Sequence, residues 1–372
     1  MQVTIHGEKQ HFRTVAFDEP ANQVRLIDQR LLPHDFQVIG TPDFRATALA
    51  ISDMVVRGAG AIGATAGYGL AQGARAFRGS NLTRFEAQVS RVFETLRDAR
   101  PTAVDPVNAM LQVLCKMQTG TTVAERQALA LSAAEEFADE DVAHCRALGE
   151  VGAPLITEGM RVLTHCNAGW LAFVDIGSAT APLYAAQQQG RAFHVYCDET
   201  RPRSQGATLT AWELAQQWIS HQIIADNAAG LLFARGQIDL VIVGSDRTLG
   251  LSGDVANKIG TYTKAVLAKR HGVPFYVAIP LSTLDWNLRD AADIPIEERD
   301  PAEVLGAWGL TDSGRREYVR VANPSSDAYN PGFDVTPPDL ITGIITPVGI
   351  FRPGELWQHR HLLDQGAHTP KG

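Results

Sequence analysis

From residue 149 onward the chain alternates between short apolar runs and stretches of helical periodicity. The apolar runs are 161–164, 193–197, 219–225, 240–243 and 275–279; helical stretches fill 177–189, 209–217, 226–235 and 255–271. Parallel strands cannot be joined by a hairpin, so each needs a crossover that returns the chain to the same end of the sheet. Strand, turn and helix repeated in this order therefore predict a parallel sheet covered by helices on both faces. Ligands of open sheets of this kind bind outside the carboxyl ends of the strands.

Each run hands a polar cluster to that rim. The clusters are Cys166, then Asp198-Glu199-Thr200-Arg201, Asp226-Asn227, Asp246-Arg247 and Pro280-Leu281-Ser282. Turn and cap preferences account for Asp226 and Ser282. They account poorly for Thr164-His165-Cys166-Asn167-Ala168-Gly169, or for Val241-Ile242-Val243-Gly244-Ser245-Asp246-Arg247, which repeats the arrangement with a carboxylate in the cysteine position. Cys166 and Asp246 are thus the candidate reactive pair.

The first half differs. The opening forty residues read as short strands and turns, and 41–148 turns helical, with apolar positions Phe85, Val89, Val92, Phe93 and Leu96 at helical spacing. Residues 123–148 read as a long amphipathic helix linking two lobes. The expected fold class is α/β: a mainly helical N-terminal domain over 1–148 with short leading strands, and an α/β domain over 149–372.

At 372 residues with a net charge of −8, the chain offers no electrostatic reason to bind nucleic acid or an anionic membrane. An anionic ligand must be caught locally by Arg, Lys and backbone N–H groups. Four cysteines without metal-type spacing, no 18-residue apolar run and no basic-then-apolar leader predict a cytoplasmic protein of a reducing compartment. The polar tail, 365–372, is expected to be loose.

Three local readings leave alternatives. Cys166 is either a small buried hydrophobe or, with Asn167 and Gly169 opening a helix behind it, a thiol whose anion the helix dipole favours. A metal site from His165, Cys166, His194 and Cys197 conflicts with the alternation of side chains along a strand, so no metal is expected. Asp246 is either a general acid with a pKa raised by burial or an ion-pair partner of Arg247. Arg57-Gly58-Ala59-Gly60-Ala61-Ile62-Gly63 matches G-x-G-x-x-G but lacks a preceding strand and a following acidic strand end, which argues against a dinucleotide. A glycine turn opening a helix still suits an anion, with packing of small residues as the alternative. The loop Arg201-Pro202-Arg203-Ser204-Gln205-Gly206 adds cations, and Asn257 and Lys258 are read as opening the helix after the Asp246 strand.

These motifs resemble those of methylthioribose-1-phosphate isomerases, within the wider family of initiation-factor-2B-like proteins. The similarity spans Asp28-Gln29 to Ile350 and is most specific at DETRPRSQGATLTAWEL (198–214), GDVANKIGTYTKAVLAKRHGVPFYVAIPLST (253–283) and NPGFDVTPPDLITGII (330–345). The resemblance implies a helical lobe plus a Rossmann-like lobe. It also implies an aldose 1-phosphate to ketose 1-phosphate isomerisation in methionine salvage, carried out by a homodimer without cofactor. Position by position it assigns Cys166 and Asp246 to catalysis, and Arg57, Gly58, Ala59, Arg100, Gln205, Asn257 and Lys258 to substrate binding. The chain departs from the family pattern at Gly60, Ala168, Trp170 and Ser245. Trp170 is the largest change and is expected to narrow the pocket around the sugar's C5, which brings in 5-deoxyribose 1-phosphate as an alternative substrate. A non-catalytic regulatory subunit of the same family is the alternative of a different class.

Overall fold

The computed structural model describes residues 1–5, 7–100 and 104–364. The tail expected to be loose, 365–372, lies outside the described residues.

Seven strands form the central sheet. In spatial order they are Gly349–Phe351, Gly343–Thr346, Phe275–Ala278, Leu240–Val243, Arg161–Thr164, His194–Asp198 and His221–Ile224. All neighbouring pairs are parallel except the edge pair of Gly343–Thr346 with Gly349–Phe351. The strand of this sheet that comes first in the chain, Arg161–Thr164, lies inside it. The next two are added outward on one side, and Leu240–Val243, Phe275–Ala278 and Gly343–Thr346 on the other. The winding direction reverses between Arg161–Thr164 and Leu240–Val243, the doubly wound order that opens a crevice at the switch point. Val162 pairs with Leu240 and Leu163 with Val241, so the two strands end side by side at the crevice. Leu240–Val243 is buried at every position, as a strand covered on both faces must be.

The N-terminal part packs five helices: Phe44–Ser52, Ala59–Arg75, Leu82–Asp98, Asp105–Met117 and Val123–Gly152. Leu82–Asp98 buries Phe85, Val89, Val92 and Leu96 along one stripe and is started by the Asn81 side chain, which accepts from the Arg84 N–H. Ala59–Arg75 is buried from Gly60 to Ala74. Its glycines and alanines let surrounding helices close in on all sides. Thr122 and Glu125 form a capping box that starts the 30-residue helix Val123–Gly152. Ala130, Ala134 and Ala138 of that helix lie in the helical core, whereas Leu148 packs against the sheet with Val162 and Val195.

Two expectations are corrected. Residues 255–271 are not one helix: Val255–Lys258 is a strand, and the helix is Thr261–His271. Val255 to Lys258 pair antiparallel with Phe333–Thr336, and Gly260 turns the chain with φ 103°. A Cβ on Gly260 would lie 2.9 Å from the His165 ring, so glycine is required there for shape as well as φ. The helix expected from 177 starts only at Ala181. Val255–Lys258 belongs to a second, four-stranded sheet of short strands, two of which, Leu284–Asp285 and Phe333–Thr336, join from far along the chain. Among the described residues no helix is long and apolar enough to cross a membrane.

Candidate active site

A cleft opens at the switch point. Cys166, Asp246, Arg57, Gly58, Ala59, Arg100, Gln205, Asn257 and Lys258 all line it. The helical part contributes the stretch 57–59 and Arg100, and the sheet part contributes the rest.

Gly58 precedes the Ala59–Arg75 helix with φ 90° and no side-chain cap. A Cβ there would run into the backbone of Ala172, so the close approach excludes any side chain. The first N–H groups of a 17-residue helix are therefore left at the cleft without a capping side chain. Before this turn comes the helix Phe44–Ser52 and no strand, which removes the structural context of a dinucleotide fingerprint. Arg57 is buried; its Nη1 donates to the Asn167 carbonyl at 2.7 Å and its Nε to Gln29 Oε1 at 3.2 Å. Its Nη2 is buried with no protein partner. Lys258 crosses the face of Phe333 at 4.3 Å.

Cys166 sits in a left-handed conformation, φ 65°, an uncommon state for a non-glycine residue. Three bonds hold it there. Its N–H donates to Thr200 Oγ1 at 2.8 Å, its carbonyl accepts from Thr210 Oγ1 at 2.7 Å, and its thiol donates to Gln205 Oε1 at 3.0 Å. Gln205 and Thr210 flank a π-helical turn over Gly206–Thr210. The wider i to i+5 repeat brings both side chains to the cysteine, and such turns cluster at functional sites. No helix opens behind Cys166: the chain makes a short 3₁₀ turn at Trp170–Ala172 instead. The expected dipole help for a thiolate is thus absent. Burial pushes the thiol's pKa up, and Lys258 and Arg57 offset only part of that, which favours the protonated thiol.

Asp246 is not paired with Arg247, which reaches Asp285 at 3.1 Å. Its side chain is open to the cleft by surface area, yet protein surrounds it on the other sides. Burial there raises its pKa despite Lys258, Arg100 and Arg57 nearby. Burial lowers the pKa of Lys258.

Arg203, Arg299, Phe333, Met54 and Phe173 also line the cleft. Of these, Arg203 lies in a cationic loop legible in the sequence and Phe333 in the specific stretch 330–345, where no role is assigned to it; no motif marks Arg299, Met54 or Phe173. Glu303 ties Arg203 and Arg299 together at 2.9 and 2.8 Å. Those two bonds outweigh burial and hold the Glu303 carboxyl down at about 2. Trp170 is elsewhere. It is fully buried, stacks on Trp212 with centroids 5.8 Å apart, and packs with Val3, Ile27 and Leu209. The expectation that it narrows the pocket is overturned; the apolar wall is Met54, Ala168, Ala172, Phe173 and Phe333. His165 and Cys166 form no metal site with His194 and Cys197. His165 bonds Asp198 at 2.8 Å and the Ile259 carbonyl at 2.8 Å, and His194 bonds Ser220. Lys264 completes the buried cluster, 3.2 Å from Asp198.

The fold is that of a doubly wound α/β protein whose helical part closes over a cleft at the sheet's switch point. The initiation factor 2 subunit family model matches residues 55–353, and the chain belongs to that family. Within it, the chain is 48% identical over 347 residues to the methylthioribose-1-phosphate isomerase of Methylorubrum populi, covering 91% of this chain and 93% of the relative. It is 47% identical over 360 residues to that of Brucella anthropi, covering 93% and 96%. The crystal structure of 5-methylthioribose 1-phosphate isomerase from Pyrococcus horikoshii OT3 superposes with TM-score 0.85 at 40% identity, covering 95% of this chain and 96% of that one. That of the translation initiation factor eIF-2B, subunit delta, from A. fulgidus superposes with TM-score 0.82 at 38% identity, covering 95% and 100%.

Proposed function

We propose that the cleft isomerises 5-methylthioribose 1-phosphate to 5-methylthioribulose 1-phosphate, with Cys166 and Asp246 as the catalytic residues. The carrying observation is that the buried Cys166 thiol and the Asp246 carboxyl share one cleft with the unpartnered Nη2 of Arg57 and the uncapped N–H groups after Gly58. The relatives named for this reaction, at 47–48% identity, support the same reading.

A furanose 1-phosphate hides its carbonyl, so the ring must open before hydrogen can move. Asp246 in its protonated form donates to the ring oxygen; the bond from C1 to that oxygen breaks and leaves an oxocarbenium ion at C1, which keeps its phosphate. The hydrogen on C2 then passes to C1 while the 2-hydroxyl proton leaves, yielding the 2-ketone. Arg57 Nη2, the N–H groups after Gly58, and Lys258 hold the phosphate. Gln205 orients the thiol, and Asn257 with Arg100 completes the binding set. Phe173, Phe333 and Ala172 keep water from the open-chain intermediate. Incorporation of solvent deuterium at C1 separates an enediol route from direct hydride transfer.

The same fold serves initiation-factor subunits, so fold alone does not separate enzyme from regulatory subunit. The unpartnered Arg57 Nη2 and the Cys166–Gln205 pair favour the enzyme. Because Trp170 packs with Trp212 and Leu209 and does not line the cleft, the argument for 5-deoxyribose 1-phosphate loses its basis. The division into 1–148 and 149–372, with phosphate groups drawn mainly from the first and reacting groups from the second, belongs to the same proposal. So do a cytoplasmic location and a homodimer; the free Cys115, Cys145, Cys166 and Cys197 fit a reducing compartment. Incubating purified protein with 5-methylthioribose 1-phosphate and following the ketose tests the reaction, and absence of conversion rejects it. Sedimentation at micromolar protein tests the dimer.

A further inference from the structure

Directly behind the Cys166 turn lies a carboxylate that the mechanism above does not use. Glu213 is 1% exposed and takes four hydrogen bonds. Its Oε1 accepts from Asn167 Nδ2 at 2.8 Å and from the Leu171 N–H at 2.9 Å. Its Oε2 accepts from the Trp170 N–H at 2.9 Å and from the Tyr184 hydroxyl at 2.8 Å. Three of these donors belong to the segment 167–171. A Cβ on Gly169 would strike the Glu213 carboxylate, so the turn is wrapped closely around it. Asn167 also donates to Thr210 Oγ1 at 3.0 Å, and the same hydroxyl donates to the Cys166 carbonyl. The Asn167 carbonyl in turn receives Arg57 Nη1. One buried carboxylate thus braces the strained turn of the thiol and, through Asn167, the guanidinium that faces the substrate.

We propose that Glu213 is a positioning residue for this reaction: it sets the Cys166 turn and the Arg57 fork while touching no substrate. The inference rests on the function proposed above and deepens it.

Substitution by glutamine exposes the dependence, because an amide has the same shape but offers one acceptor oxygen. If the NH₂ replaces Oε2, it faces the Trp170 N–H; if it replaces Oε1, it faces the Leu171 N–H. Tyr184 can turn its hydroxyl round and Asn167 can flip its amide, but a backbone N–H can do neither. One peptide of the turn must therefore move. Displacement of a reacting group by about 1 Å costs on the order of 100-fold in rate.

The test is Glu213→Gln in the full-length protein, read in two ways. Steady-state kinetics with 5-methylthioribose 1-phosphate should show kcat down about 100-fold, with KM changed far less, because Lys258 and the helix N-terminus are untouched. A merely structural role would lower stability and leave kcat per folded molecule alone. Without substrate, the rate of Cys166 alkylation by iodoacetamide, followed by mass spectrometry, should differ clearly from wild type. A folded Glu213→Gln protein with wild-type kcat and alkylation rate overturns the proposal. Should Glu213→Gln fail to fold, Tyr184→Phe decides. It removes one donor and no charge, and must shift kcat and alkylation in the same direction; no shift in either overturns the proposal. The alkylation arm needs no turnover, so failure of the wild type to isomerise the sugar would reject the proposed reaction separately.

Discussion

Arg57→Lys separates a guanidinium acting as a fork from one acting as a charge. The side chain is 6% exposed; it spends Nη1 on the Asn167 carbonyl and Nε on Gln29, and keeps Nη2 unpartnered. A lysine keeps the charge but places one nitrogen where the guanidinium spread three. At most one of the three directions can be served well. Losing one charge-assisted bond to a phosphate oxygen costs about 1.5–3 kcal/mol. At about 1.4 kcal/mol per factor of ten, kcat/KM should fall roughly 10- to 150-fold. The unserved acceptor, Gln29 Oε1 or the Asn167 carbonyl, adds about 1–3 kcal/mol of destabilisation, visible as a lower denaturant midpoint. Steady-state kinetics, competition by inorganic phosphate and urea unfolding measure these terms. A variant within threefold of wild-type kcat/KM, with unchanged phosphate inhibition, would refute the fork and leave only charge.

Cys166→Ser and Asp246→Asn should each abolish turnover with near-normal melting, and wild-type activity in either removes that residue from the mechanism. Burial raises Asp141 to about 7 and Asp105 to about 6, from ordinary values of 3.8. A carboxyl with a higher pKa folded than unfolded binds more protons in the native state, so its stabilisation is complete below about pH 4 and is lost as pH rises to about 7. Asp141→Asn should flatten that decline while the amide oxygen keeps the bond from the Val174 N–H; unfolding free energies from pH 4 to 8 with an unchanged slope would contradict this. Trp170→Ser should lower stability by about 3–5 kcal/mol and leave the kcat/KM ratio between 5-methylthioribose 1-phosphate and 5-deoxyribose 1-phosphate unaltered. A changed ratio would return Trp170 to the pocket.

Much of the arrangement was legible in the residues because it is written locally. Apolar runs such as 240–243 are buried strands wherever they pair, and the polar residues following them must emerge at the strands' carboxyl ends. Gly58 turns the chain and opens a helix by its own conformational freedom. Of the positions assigned through the resemblance, Cys166 and Asp246 reach the cleft for that reason, each following a strand, and Arg57, Gly58 and Ala59 because they open a helix. What the sequence left open was decided by partners distant along the chain. Val255–Lys258 is a strand because Phe333–Thr336 pairs with it. Trp170 turns from the cleft because Glu213 holds its N–H and Trp212 offers it a stacking face. Cys166 keeps its proton because the turn behind it is not a helix and burial outweighs the nearby cations. Arg299 and Phe333 reach the cleft only because the long connection between Phe275–Ala278 and Gly343–Thr346 returns to it. Backbone periodicity is a local property, whereas side-chain direction and charge state depend on what the fold places opposite, and only the tertiary structure supplies that.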